Sequence, residues 1–135
     1  MELRFSRRTH LAMKALQELG DAEKLSGSEL AERIDTTNPF LPQVLGPLVK
    51  AGWIESQPGP GGGYRLALSL GDLSLLEVVE TVEGPAETGL CVLRDGPCPG
   101  TESCPVHEAW LSARTELTER LAAMSAEDMF ERNAS

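Results

Sequence analysis

The sequence holds no cysteine outside one stretch of fourteen residues, and only three within it: Cys91, Cys98 and Cys104. An odd count leaves one thiol over from any set of internal pairs, which argues against a disulfide scaffold. No apolar run approaches the roughly 20 residues that a membrane span needs. The N-terminal MELRFSRRTHLAMKAL places basic residues before apolar ones, but Lys14 interrupts the run and no small-residue cleavage site follows. A signal peptide is therefore not expected, and a cytoplasmic protein with reduced thiols is. No nucleophile–base pair, phosphate loop or recognisable pair of carboxylates is present, so an enzyme is not expected either.

Basic charge is also scarce, with a formal net charge of −9 over 135 residues. The deficit is uneven. Residues 1–70 carry eight Lys/Arg and eight Asp/Glu, whereas residues 71–135 carry four and thirteen. The first half is thus neutral, with Arg4, Arg7, Arg8 and Lys14 gathered at its start. A neutral head with a basic edge can hold phosphate, although its non-specific affinity for nucleic acid should be weak.

Apolar spacing predicts a helix over 6–19, with Ala12, Ala15, Leu16 and Leu19 as its stripe and Gly20 as its stop. Ser26 and Glu29 form a capping-box signature that opens a second short helix through Ile34. After the polar break of 35–38, Pro39 begins a third helix whose stripe is Leu41, Val44, Leu45 and Leu48. Two short helices joined by about four residues read as a helix-turn-helix. Two strand-like segments follow, 53–57 and 64–68, separated by PGPGGG. A helix-turn-helix followed by a hairpin is a winged helix; the alternative is a plain hairpin beside a helical core. In the wing, Gly61, Gly62 and Gly63 would let backbone approach a sugar–phosphate rail. Tyr64 and Arg65 lie beside them, with Arg65 placed to meet phosphate or enter the minor groove.

Ser74 is expected to cap a further short helix closed by Gly84-Pro85. The cysteine segment comes next, and its Gly96, Pro97, Pro99 and Gly100 make it a loop. Soft thiolates gathered on a loop suit a metal or an iron–sulfur centre. Zinc sites usually space paired cysteines two to four residues apart, and the gaps of six and five here do not fit that habit. A bare thiol redox switch remains the other alternative. A long helix is expected from Pro105 to about Met124, with Cys104 as its N-cap and His107 as its third residue. There the helix dipole would favour thiolate and an anionic centre. Trp110, Ala113, Leu117, Leu121 and Met124 form a near-heptad seam suited to pairing with a second copy, the alternative being that it packs on the chain's own core. A last short helix is expected from Ser125. The expected organisation is a reading head over 1–70, a connecting helix and cysteine loop over 71–104, and a dimerisation helix with its tail over 105–135.

The runs LRFSRRTHLAMKAL, SGSELAERI and LPQVLGPLVKAGWIESQPGPGGGYRL, followed by three cysteines, HEAW and a long helix, resemble the Rrf-type family of bacterial winged-helix regulators. That family includes the IscR, NsrR and RirA types, and the resemblance spans about Leu3 to Met129. It implies a mainly α fold and a homodimer that binds double-stranded promoter DNA. It also implies an iron–sulfur cluster held by Cys91, Cys98, Cys104 and one non-cysteine ligand. His107 occupies the histidine position of the IscR type, which favours a 2Fe–2S centre. His10 falls where the NsrR type places a carboxylate from the partner subunit, which would favour 4Fe–4S. Each has a plainer alternative: His107 as a solvent-facing helix residue, and His10 as a DNA contact or packing group.

In the family the third helix enters the major groove. Here it contains Pro42, Gly46 and Pro47 and no arginine, which leaves Asn38, Phe40, Gln43 and Lys50 as candidate contacts. Gln43 is the best base reader among them, since Gln can bond adenine bidentately. The expected function is a cluster-dependent transcription regulator. The alternatives are a cluster-free thiol regulator or a protein-interaction module on the same fold.

Overall fold

The computed structural model describes residues 2–100 and 104–129. Helix α1 runs Arg7–Asp21, and the hydroxyl of its N-cap Ser6 accepts from the Thr9 amide. That bond satisfies a donor which the first helical turn leaves without a partner. Leu11, Ala12, Ala15, Leu16 and Leu19 are buried, so the predicted stripe faces the core. Gly20 does not stop the helix as expected. A Cβ there would stand 2.8 Å from Leu70 Cδ1, so the glycine makes room for a packed neighbour.

Helix α2, Gly27–Arg33, opens on Ser26, whose hydroxyl accepts from the Glu29 amide. Asp35 closes it in the left-handed region at φ 61, and the Thr36 amide returns to the Ala31 carbonyl at 2.9 Å. This six-to-one closure turns the chain toward α3.

Helix α3 spans Leu41–Lys50 with Phe40 as its N-cap, two residues later than the expected start at Pro39. The Leu41 amide already bonds the Thr37 carbonyl, but Pro42 has no N–H to offer Asn38, so the ladder is interrupted there. Pro47 lies inside the helix, which nevertheless continues to Lys50. The Gln43 carbonyl that Pro47 cannot serve receives Arg8 Nη2 from α1 at 3.4 Å.

Strands β1, Ile54–Gln57, and β2, Gly63–Leu66, pair antiparallel with Ile54 opposite Leu66 and Glu55 opposite Arg65. Leu25, ahead of α2, forms an antiparallel bridge to the other edge of β2. Its amide and carbonyl bond Tyr64 at 3.0 and 2.7 Å. Gly63 permits this approach, since a Cβ there would fall 2.4 Å from the Leu25 oxygen. The wing is thereby fastened to the helical body.

Helix α4, Leu75–Glu83, begins with a complete capping box between Ser74 and Glu77 and ends at Gly84. Helix α5 spans His107–Ala123. It starts later than the sequence suggested: Val106 is its N-cap, and Cys104 lies outside it. The His107 amide bonds the Cys104 carbonyl in a preceding turn, and the first full helical bond is Trp110 to Val106. At its far end Ser125 and Asp128 exchange side-chain bonds with each other's amides, and residues 126–129 are helical.

The core is one cluster in which α1 packs against α3, α4 and β2, and α4 packs against α5. Leu16, Leu30, Ile34, Leu45, Leu48, Ile54 and Leu73, with Val44 and Val78, are its largest fully buried apolar members. Each such side chain contributes on the order of 1.5–3 kcal/mol through burial. The Leu75 amide bonds the Met124 carbonyl and the Ala126 amide bonds Leu73, tying the end of α5 to the start of α4. The architecture is mainly α, with the two-stranded wing expected from sequence. Among the described residues, no helix is long and apolar enough to cross a membrane.

Candidate metal centre and nucleic-acid interface

The cysteine segment is a small clasp rather than an open loop. The Cys91 amide bonds the Gly96 carbonyl at 3.0 Å, and the Cys98 amide bonds Gly89 at 2.9 Å. Leu90 and Pro97 face each other as an isolated antiparallel bridge. The folded-back strip 89–98 thus carries two of the three thiols on one short scaffold. Cys104, 5% exposed, precedes α5, and His107 is that helix's first residue.

These four residues line one cavity of about 140 Å³ with Leu90, Trp110, Leu111 and Arg114. Cys98 Sγ lies 3.1 Å from His107 Nδ1. The Leu93 and Arg94 amides donate to the Cys91 sulfur, and these bonds, joined by one from Cys104, outweigh desolvation and hold the Cys91 thiol below its ordinary pKa. A thiolate held in this way is the form that binds metal. All three cysteines are free thiols.

Among the described residues, no group of three or more His, Cys, Asp or Glu side chains is arranged to hold a single metal ion. A mononuclear zinc site needs all its ligands about 2.0–2.3 Å from one point. An iron–sulfur cluster spreads its ligands around a larger body. The donor set of three thiols and one imidazole around an open cavity fits such a group, since thiolate and imidazole both bind cluster iron.

His10 lies elsewhere. It is exposed on the first turn of α1, in a shallow depression shared with Glu2, Arg4, Phe5, Ser6 and Arg7. The cysteine cavity of the same chain is not lined by it.

The residues expected to face nucleic acid divide into two groups. Asn38, Gln43 and Lys50 are exposed on or just ahead of α3, and Arg4, Arg7 and Arg8 are exposed around the start of α1. Phe40 and Tyr64 are half-buried and pack on the core, which fits them for support more than for contact. Arg4 pairs with Glu2 at 3.3 Å, both ends exposed. Arg65 Nε donates to Glu55 Oε2 at 2.7 Å across the hairpin, so its guanidinium already has an anionic partner. Gly61 and Gly63 hold positive φ in the wing loop, and Lys24 Nζ donates to the Gly61 carbonyl at 2.5 Å.

Sequence reasoning missed Glu87 and Arg114 beside the cysteines, and Lys24 beside the wing. For Arg114 a signal existed: it lies seven residues after His107, on the same helical face as Leu111. Glu87 and Lys24 are brought in by tertiary contact and carried no local pattern.

Comparison with known proteins follows the same lines. The HTH-type transcriptional regulator IscR of Xenorhabdus nematophila is 29% identical over 102 residues, covering 76% of this chain and 62% of that protein. The IscR of Cereibacter sphaeroides is 36% identical over 86 residues, covering 60% and 56%. The chain therefore spans about three fifths of the length of these curated relatives, which are transcriptional regulators rather than enzymes by name. Among solved structures, T. potens IscR superposes with a TM-score of 0.73 at 24% identity, covering 98% of this chain and 90% of that one. CymR, the global cysteine regulator of B. subtilis, gives 0.73 at 22% identity, covering 95% and 96%. At that identity the likeness speaks for the fold. Residues 5–132 match the Rrf2 family, described as iron-dependent transcriptional regulators, and the chain belongs to that family.

Proposed function

We propose that this protein is a homodimeric, DNA-binding transcription regulator whose promoter affinity is set by an iron–sulfur cluster on Cys91, Cys98, Cys104 and His107. The observation that carries this is the single cavity lined by all four residues, with Cys98 Sγ and His107 Nδ1 3.1 Å apart. A 2Fe–2S centre fits the mixed thiolate and imidazole donors better than 4Fe–4S. When bound, the group supplies one-electron redox chemistry and a centre open to attack by oxidants or nitric oxide. The chain's own part is to hold the thiols together: amide donors stabilise Cys91, the clasp orients Cys98, and the turn before α5 sets Cys104 beside His107.

DNA is read by the head of residues 1–70. The exposed Gln43 and Lys50 on α3, with Asn38 ahead of it, meet the major groove, while Arg65 and the glycines of the wing follow the backbone. The second copy pairs along α5, where Trp110 and Leu117 are 40% and 52% exposed in the single chain. Apolar side chains seven residues apart on one helix face make a seam that a second copy of the same helix can cover. The cysteine segment joins α4 to α5, so rearranging it would change the angle between the two heads.

The test is an anaerobic preparation. It should be brown and contain iron and acid-labile sulfide, and Cys→Ala at any of the three positions should remove most of the colour. A colourless preparation with stoichiometric zinc would defeat the cluster assignment. A thiol-only switch is the second reading, favoured by the depressed pKa of Cys91 and by the nearby thiol of Cys104. It predicts colourless protein whose DNA affinity changes with an oxidant and returns with a thiol reductant.

A further inference from the structure

The clasp of residues 89–98 is tied to α5 by more than its cysteines. Arg114 Nη2 donates to Glu87 Oε2, while the other oxygen of Glu87 accepts from the Gly89 amide at 2.9 Å. One carboxylate therefore grips both the root of the clasp and the helix. Both side chains line the same cavity as the thiols. The Arg114 side chain is only 24% exposed, whereas Glu87 is 64% exposed, so the helix side is set and the clasp side is free to leave. Upstream, Glu80 accepts from the Ala86 amide at 2.9 Å, fixing where the segment departs from α4.

We propose that Glu87 and Arg114 are the positioning pair of the cysteine site, docking the clasp onto α5 before any cluster is bound. It deepens the cluster site proposed above and rests on it for its purpose, but its physical content is separate. A cluster binding to an undocked segment would have to order residues 89–98 at the moment of binding, at an entropic cost for every residue fixed. The pair meets part of that cost in advance, keeping Cys91 against Cys104 and Cys98 against His107. Its guanidinium also places a positive charge at the wall of a cavity meant for thiolates.

The experiment uses full-length, cluster-free protein under anaerobic reducing conditions and follows alkylation of each cysteine by iodoacetamide, resolved by mass spectrometry. Cys104 is the reporter, because it is buried and lines the cavity that the clasp walls. Glu87→Gln and Arg114→Gln should each speed its alkylation about threefold to fivefold, the scale of one partly exposed ion pair. Arg114→Lys, which keeps a cation for Glu87 and leaves the carboxylate on the Gly89 amide, should stay near the wild-type rate. After loading, iron release to a chelator should follow the same order. Gln variants that alkylate at the wild-type rate, or an Arg114→Lys as fast as Arg114→Gln, would overturn the proposal. If the wild type takes up iron and sulfide in either of those cases, the cluster assignment survives alone. If the alkylation pattern holds in a protein that takes up no cluster, the pair stands and the cluster assignment fails.

Discussion

Thr9, fully buried on α1, donates its hydroxyl to the carboxylate of Glu83, the last residue of α4. The same Glu83 oxygen accepts from the Ser6 amide at 3.0 Å, so one side chain holds the start of α1. Beyond Glu83 the chain turns at Gly84 and enters the cysteine segment. The start of α1 and the proposed sensor segment thus meet at this residue. Burial pushes the Glu83 carboxyl up, but the bonds from Thr9 and Ser6, with His10 nearby, outweigh it and hold the pKa below its ordinary value.

Glu83→Gln should therefore cost about 1 kcal/mol near neutral pH. The sign follows from the lowered pKa: the wild type's advantage is present above the ordinary value and is lost as pH falls through the folded one. Thermal melts of both proteins from neutral pH down to acid should converge. A gap that persists at low pH would assign the difference to shape instead of charge.

The fourth ligand is decided by a pair of substitutions. His107→Ala should leave fold and dimer intact while perturbing the cluster's visible spectrum and potential, since losing imidazole changes the charge at iron. His10→Ala should leave the spectrum unchanged and affect DNA binding at most. The reverse result would give the ligand to the first helix of a partner copy and make a 4Fe–4S centre the better assignment.

Leu117→Asp tests the pairing of α5. In the single chain this position is exposed, so the change should be harmless to the monomer's fold. In a dimer seam an unpaired carboxylate costs several kcal/mol. Sedimentation should show monomer with unchanged helicity; a mutant that stays dimeric would place the seam elsewhere.

In the wing, Arg65→Ala should weaken promoter binding and lower the log–log salt slope by about one unit if the residue meets a phosphate. Glu55→Gln should act oppositely, because it frees the guanidinium from its 2.7 Å partner. Equal affinities for all three proteins at low salt would remove Arg65 from the interface.

Two glycines should separate packing from propensity. A Cβ at Gly62 would stand 2.0 Å from the Gln57 oxygen, so Gly62→Ala must deform the wing and lower DNA affinity. Gly46 has nothing within 4 Å of that position, so Gly46→Ala should stabilise α3 by roughly 0.5–1 kcal/mol. Denaturant titration of the second and promoter binding of the first provide the measurements.

Much of this protein was legible one residue at a time. The stripes of α1 and α3, the Ser26 and Ser74 caps, the wing and the three-cysteine cluster follow from periodicity, side-chain hydrogen-bonding chemistry and spacing, which are local properties of the chain. The errors were local as well, and each has a tertiary cause. Gly20 looked like a stop but makes room for Leu70, and Cys104 looked like an N-cap but lies in the turn before α5. Leu121 looked like part of an exposed seam, yet it is buried in the chain's own core while Leu117 four residues earlier is not. Periodicity says that a face is apolar; which surface covers it depends on where α4 lies. The sequence by itself therefore determined the elements, the thiol set and the family. Only the folded chain decided that Glu83 joins α4 to α1, that Glu55 meets Arg65 and that Glu87 reaches Arg114, because contacts between residues distant in sequence exist only after the intervening chain has been placed.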